Sequence, residues 1–127
     1  MKIYTSYFAK MKSLPDNVVP IAICGGLPNW YNGLSYKKLA PRYGFWREWK
    51  DNHEKDEEYW KNYYVLHYNQ EVLFTLNPNV VYSDFINLSG GKDVVLLCYE
   101  KPGDFCHRHL VAEWLSKYGY ITEEFSF

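Results

Sequence analysis

Val94-Val-Leu-Leu-Cys-Tyr99, Glu100-Lys-Pro-Gly-Asp104, Phe105-Cys-His-Arg-His-Leu-Val-Ala-Glu-Trp114 and, past Gly119, Tyr120-Ile-Thr-Glu-Glu-Phe125 decide the fold. The first run is continuously apolar, as a strand covered on both faces must be. The second is a turn, because Pro102 and Gly103 break any regular element. In the third, Leu110, Val111, Trp114 and Tyr118 recur at the spacing of one helical face, which predicts a helix over about Phe105 to Tyr118. Gly119 ends it, and Tyr120 to Phe125 is a final strand. Strand, helix and strand in that order make a βαβ unit, and so a parallel sheet with a helix against it.

Working toward the N-terminus, Lys2 to Phe8 is rich in β-branched and aromatic residues and is the first strand. Asn17 to Cys24 is a second apolar run between Pro15-Asp16 and Gly25-Gly26. Pro20 inside it implies a late start or an edge position. Leu27 to Tyr43 carries Pro28, Gly33 and Pro41 and reads as loop, with one helical turn after Ser35. Phe45 to Trp60 is helix or irregular, its centre from Asp51 to Glu58 a solvated face. Tyr63 to Leu76 is helical, with Val65, Tyr68, Val72 and Leu76 near one face. Asn77-Pro78 starts another helix, reaching Leu88 and capped by Gly90-Gly91. The expected fold is one three-layer, Rossmann-like α/β domain over residues 1–127, with a small, mostly parallel sheet.

Composition bounds the class. With 127 residues there is chain for one domain. Fourteen basic against fifteen acidic residues give a net charge of −1, which argues against a protein that wraps duplex nucleic acid. Nucleic acid stays open as a partner only through a local patch. Three cysteines are too few and odd in number for a disulfide framework, and no signal-like or membrane-length apolar segment stands out. The expected setting is soluble, reducing and cytoplasmic, with no membrane partner.

Chemistry concentrates in Asp104-Phe-Cys-His-Arg-His109, where a buried strand hands over to a helix. With Asp104 as N-cap, Cys106 and His107 fall in the first turn, where backbone N–H groups lack partners and the helix dipole is positive. Arg108 adds a permanent cation, making an anion site suited to phosphate or carboxylate. The same surroundings favour a Cys106 thiolate, with His107 as acid or base and Glu100 orienting an imidazole or a substrate. The alternatives stand beside these. His107 points toward the apolar face and can be a core histidine bonded to a backbone carbonyl; Cys106 can be a small buried hydrophobe.

In a parallel sheet, ligands bind beyond the carboxyl ends of the strands. That places Thr5, Ser6, Cys24, Gly25 and Glu100 around Arg108 on one rim. Arg108→Ala is then expected to weaken an anionic ligand and leave stability nearly unchanged. Trp30 to Lys38 mixes aromatics with cations, so Tyr36 and Lys37 are candidates to hold a nucleoside and its phosphates, unless these aromatics only pack a loop. No metal site is expected: Cys98, Cys106 and His107 match no common zinc spacing. No C-x-x-C pair, phosphate loop or dinucleotide fingerprint occurs, and no cofactor is implied.

Leu96-Leu-Cys-Tyr-Glu100 followed by Cys106-His-Arg108 and Leu110 to Leu115 resembles the uncharacterised bacterial and phage family called domain of unknown function 488. Ile3 to Phe8 and Trp30 to Pro41 resemble a short branch of it. Many members carry Asp-Val-Arg after the second strand. Here that place reads Ile23-Cys24-Gly25-Gly26, so a second site arginine is missing or replaced by Lys37, Lys38 or Arg42. The resemblance implies the α/β fold and weight on Cys106-His107-Arg108, and names no reaction.

Three functions compete. One is a small domain with an anion or nucleotide site over Cys106, His107 and Arg108, acting as a thiol-dependent enzyme. The second is a non-catalytic, phage-borne module for a nucleotide, nucleic acid or host protein. The third is a protein partner bound to exposed Trp46, Trp49 and Trp60.

Overall fold

A computed structural model describes all residues, 1–127. Five parallel strands form one sheet: β1 (Ile3–Tyr7), β2 (Val18–Ala22), β3 (Leu34–Ser35), β4 (Asp93–Cys98) and β5 (Thr122–Glu124). Their spatial order is β3-β2-β4-β1-β5. The β4 strand lies at the centre, pairing Leu96 with Thr5 on one side and with Ile21 on the other. Its residues Val94 to Cys98 are all buried, which is why the run is apolar without alternation. Pro20 is tolerated because the two-residue β3 reaches only Ile21 and Ala22, leaving an edge of β2 free beside the proline.

Four α-helices complete the fold: α1 (Tyr43–Asn52), α2 (Glu57–Glu71), α3 (Pro78–Ser89) and α4 (His107–Lys117). Asp56 caps α2 by accepting from the Tyr59 N–H at 3.1 Å, so this helix starts well before the expected Tyr63. Asn77 caps α3 in the same way, and Gly90 closes it with a φ of 67°, which only glycine adopts without strain.

All four helices bury their apolar residues in one core. Phe45, Tyr64, Tyr68, Val81, Phe85, Val111 and Trp114 meet Ile3, Ile21, Val94 and Leu96 there. The opposite face of the sheet carries Ala22, Val95 and Leu97. It is covered by a 3₁₀ turn (Phe8–Ser13) and loop residues such as Tyr31. Handedness explains the division. The β3→β4 and β4→β5 connections run across the sheet in one direction and carry the helices. The β1→β2 and β2→β3 connections run in the other and must lie on the opposite face. The third layer is therefore thin, made of a turn and loops, because only short segments return that way. No helix is long and apolar enough to cross a membrane.

Candidate functional site

The sheet's carboxyl edge holds a cavity of about 750 Å³. It opens between the chain leaving β2 and the chain leaving β4, adjacent strands whose connections pass over opposite faces of the sheet. This is where parallel α/β sheets form a crevice. Cys24, Gly25 and Gly26 line one side. Cys98, Glu100, Cys106 and His107 line the inner end.

The turn after β4 delivers Cys106 to the cap position of α4, two residues later than expected from Asp104. Its extended backbone (φ −152°, ψ 143°) sets the side chain against the helix N-terminus, and its carbonyl accepts from the His109 N–H at 3.1 Å. His107, the first helical residue, is buried. Its Nε2 lies 2.7 Å from the Ile23 carbonyl oxygen. A carbonyl only accepts, so Nε2 donates to it, and Nδ1 faces the sulfurs, 3.8 Å from Cys98 Sγ and 4.0 Å from Cys106 Sγ, where it donates to a Cys106 thiolate when it too carries a hydrogen. The backbone-bonded core histidine and the histidine beside the Cys106 sulfur are thus one geometry.

Burial opposes charge on Cys106. Hydrogen bonds from the Cys98 thiol, the His107 ring and the Arg108 backbone N–H outweigh it and hold the thiol well below its ordinary range. Burial and the neighbouring Cys106 push Cys98 well up, so Cys98 remains a thiol donor. Burial first, and then Cys106, raise the Glu100 carboxyl to about 7, placing its titration at neutral pH. Cys24 is pushed up to about 12, chiefly by burial, and stays neutral. Of the three thiols only Cys106 is shifted toward the thiolate, and it sits at the N-terminus of a helix.

Arg108 is corrected by the structure. Its side chain is fully buried and does not line the cavity. Nε and Nη2 donate to Glu124 Oε1 and Oε2 at 3.0 and 2.9 Å, and Nη1 donates to the Glu100 carbonyl. Thr5, also placed on the ligand rim by sequence reasoning, donates its hydroxyl to the same Glu124 at 2.6 Å. Arg108 and Glu124 together clamp the carboxyl ends of β1, β4 and β5. Removing the arginine therefore disturbs stability, contrary to the expectation of a nearly unchanged fold. The signal for this was the Glu123-Glu124 pair closing the last strand, an obvious partner for a buried guanidinium.

The other expected ligand residues divide. Cys24 and Gly25 reach the cavity with Cys106, His107 and Glu100. Ser6 is buried with its Oγ unpartnered, off the cavity. Tyr36 bonds Asp84 at 2.6 Å and, with Lys37, lines a separate small recess. The walls of the main cavity come from residues that were not assigned to it: Tyr43, Trp46, Trp49, Tyr64, Tyr99 and Phe105. A readable sign existed, since Tyr43, Trp46 and Trp49 recur every three residues on one face of α1. Trp46, Trp49 and Trp60 are all half-buried, so they do not form an open tryptophan surface.

Cys98, Cys106 and His107 have their ligand atoms within 4.8 Å of one another. These three groups are one short of the four that a structural zinc needs, and the nitrogen that faces the two sulfurs is His107 Nδ1, since Nε2 bonds the Ile23 carbonyl. No curated protein and no solved structure matches the chain. Residues 12–119 match the family model DUF488-N3a, described as the active DUF488-N3 subclade, and the chain belongs to the DUF488 family.

Proposed function

We propose that this protein is a thiolate-dependent enzyme in which Cys106 is the nucleophile. The observation that carries this is the position of its sulfur: at the N-terminus of α4, 4.0 Å from His107 Nδ1, and lining a deep cavity. An external phosphate or carboxylate at this helix end would meet the sulfur already there, and Arg108 is committed to Glu124. These two facts favour a reactive thiolate over a dedicated anion site.

The step is a substitution. The Cys106 sulfur forms a bond to an electrophilic carbon of the substrate, and the leaving group departs with the proton of the Glu100 carboxyl. Glu100, now a carboxylate, takes a proton from water. The water oxygen attacks the same carbon, the C–S bond breaks, and thiolate and carboxylic acid are restored. His107 holds the sulfur in place through Nδ1, itself oriented by the Ile23 carbonyl.

Carbamidomethylation by iodoacetamide, followed by peptide mass mapping, tests the proposal. Cys106 should be the alkylated residue, with a rate at pH 6 within about threefold of that at pH 9, whereas an ordinary thiol slows about tenfold per unit below its pKa. A Cys106 rate that climbs with pH like that of a free thiol would overturn the enzyme reading and leave the non-catalytic binding module.

A further inference from the structure

The cavity has two kinds of wall. One is aromatic: Trp46 and Trp49 from α1, Phe105 before α4, with Tyr43 and Tyr99 near the mouth. Tyr43 is 71% exposed and Tyr99 50%, while both tryptophans are only half-buried. His53 stacks on one face of Trp49, with ring centroids 4.3 Å apart, and Lys50 lies over one face of Trp46, so each indole has one face taken and stays only half-buried overall.

Another part of the lining is the bare backbone of Gly25-Gly26. Neither glycine has a positive φ, and a Cβ built on either meets no protein atom within 4 Å. The backbone conformation does not require glycine there, and neither does crowding by other parts of the chain. What the missing side chains leave is open space at the cavity wall. The segment is nonetheless held in place: the Gly26 carbonyl accepts from Tyr99 Oη at 2.8 Å and from Cys24 Sγ at 3.2 Å. A bare, held strip in the same lining as these aromatic rings leaves room for something flat.

Polarity settles the kind of flat group. The inner end carries Glu100, Cys106 and His107, all hydrogen-bonding groups. Lys50 is the only cation in the lining, with its Nζ 4.9 Å from the Trp46 ring centroid. His107 and Cys106 already have partners within the chain, but a hydrocarbon ring would cover the half-buried Glu100 carboxyl with nothing to bond, and a polyanion would meet a single cation. A ring with apolar faces and a hydrogen-bonding edge satisfies both walls and the inner end.

We propose that the cavity takes a flat nitrogen heterocycle of the nucleobase kind, stacked between Trp46, Trp49 and the Gly25-Gly26 backbone, with its polar edge toward Cys106 and Glu100. The thiolate reading enters only in what happens at that edge; the stacking itself does not need a reactive sulfur. The ring can arrive as a free nucleoside or nucleotide, or unstacked from a single strand. The chemistry of the slot is the same for both.

Isothermal titration calorimetry on the full chain distinguishes these. The probes are the common nucleosides, their 5′-monophosphates, a short mixed-sequence single strand, and ribose 5-phosphate as a ringless control. At least one heterocycle should bind, and ribose 5-phosphate should not. Trp46→Ala should weaken binding about tenfold, the magnitude of one lost stacking contact. Gly26→Val should weaken it at least as much while leaving Tm unchanged, and Gly25→Ala serves as the milder second variant. If the thiol proves inert but these results hold, the slot stands and the enzyme reading falls. If Cys106 is reactive but no heterocycle binds at millimolar concentration, the slot is refuted and the enzyme reading survives. Binding of single nucleosides identifies a free small molecule, whereas binding of the strand alone, abolished by Gly26→Val, identifies a base presented by nucleic acid. Affinity indifferent to both Trp46→Ala and Gly26→Val would overturn the proposal.

Discussion

Arg108→Ala removes one end of a buried ion pair, and its effect follows from the contacts it breaks. Three donors disappear: Nε and Nη2 from Glu124, and Nη1 from the Glu100 carbonyl. The Glu124 carboxylate then keeps its charge with only the Thr5 hydroxyl for company. Breaking a buried pair from one side costs about 3–5 kcal/mol, mostly the penalty of the abandoned charge. Glu124 is 29% exposed, so water can partly resolvate it, and the lower end of the range, about 3 kcal/mol, is expected. For a chain of this size that lowers Tm by on the order of 10 °C. Urea unfolding followed by circular dichroism measures it. Arg108→Leu combined with Glu124→Leu should recover much of the loss, since no charge is then left unpaired. A loss under about 1 kcal/mol for Arg108→Ala would refute the clamp and return the guanidinium to ligand binding.

Three further outcomes are expected. Trp114 is buried on the apolar face of α4, so Trp114→Ala should cost about 3–5 kcal/mol in the same urea assay, and a change well under one would put the helix face wrong. Ser6→Ala removes a buried hydroxyl without a partner and should be neutral or stabilising by about 1 kcal/mol; a clear loss would reveal a partner for Oγ. Glu100, raised to about 7 by burial and by Cys106, resists ionisation in the folded state. Its contribution to stability is fully present below its unfolded pKa and is lost as pH rises through about 7. Glu100→Gln should therefore stabilise the protein at pH 8 and not at pH 4, and an equal effect at both would remove the carboxyl from the coupled cluster.

Local rules carried far in this chain. Continuous apolarity marked β4 as a central strand, because a strand covered twice has no polar face to show. Asn77-Pro78 and Gly90 bounded α3 because capping depends on side chains and backbone freedom within a few residues. The start of α2 was harder to read, because Asp56 caps it from inside a charged run that resembles solvated surface.

The sequence by itself determined a parallel α/β fold and the handover from β4 to α4 at Cys106-His107-Arg108. It did so because strand and helix periodicities, turns and caps are short-range properties of the chain. The tertiary structure decided which way each of those three side chains faces. Arg108 turns under the sheet edge because Glu124, 16 residues on, arrives beside it in β5. His107 is oriented by the Ile23 carbonyl, 84 residues back in sequence. The aromatic walls assemble only when folding brings α1 to the cavity that the chain leaving β2 and β4 also lines. Charge pairing, burial and cavity shape depend on neighbours that folding alone brings together, so no reading of spacing along the chain could separate a clamp from a ligand residue here.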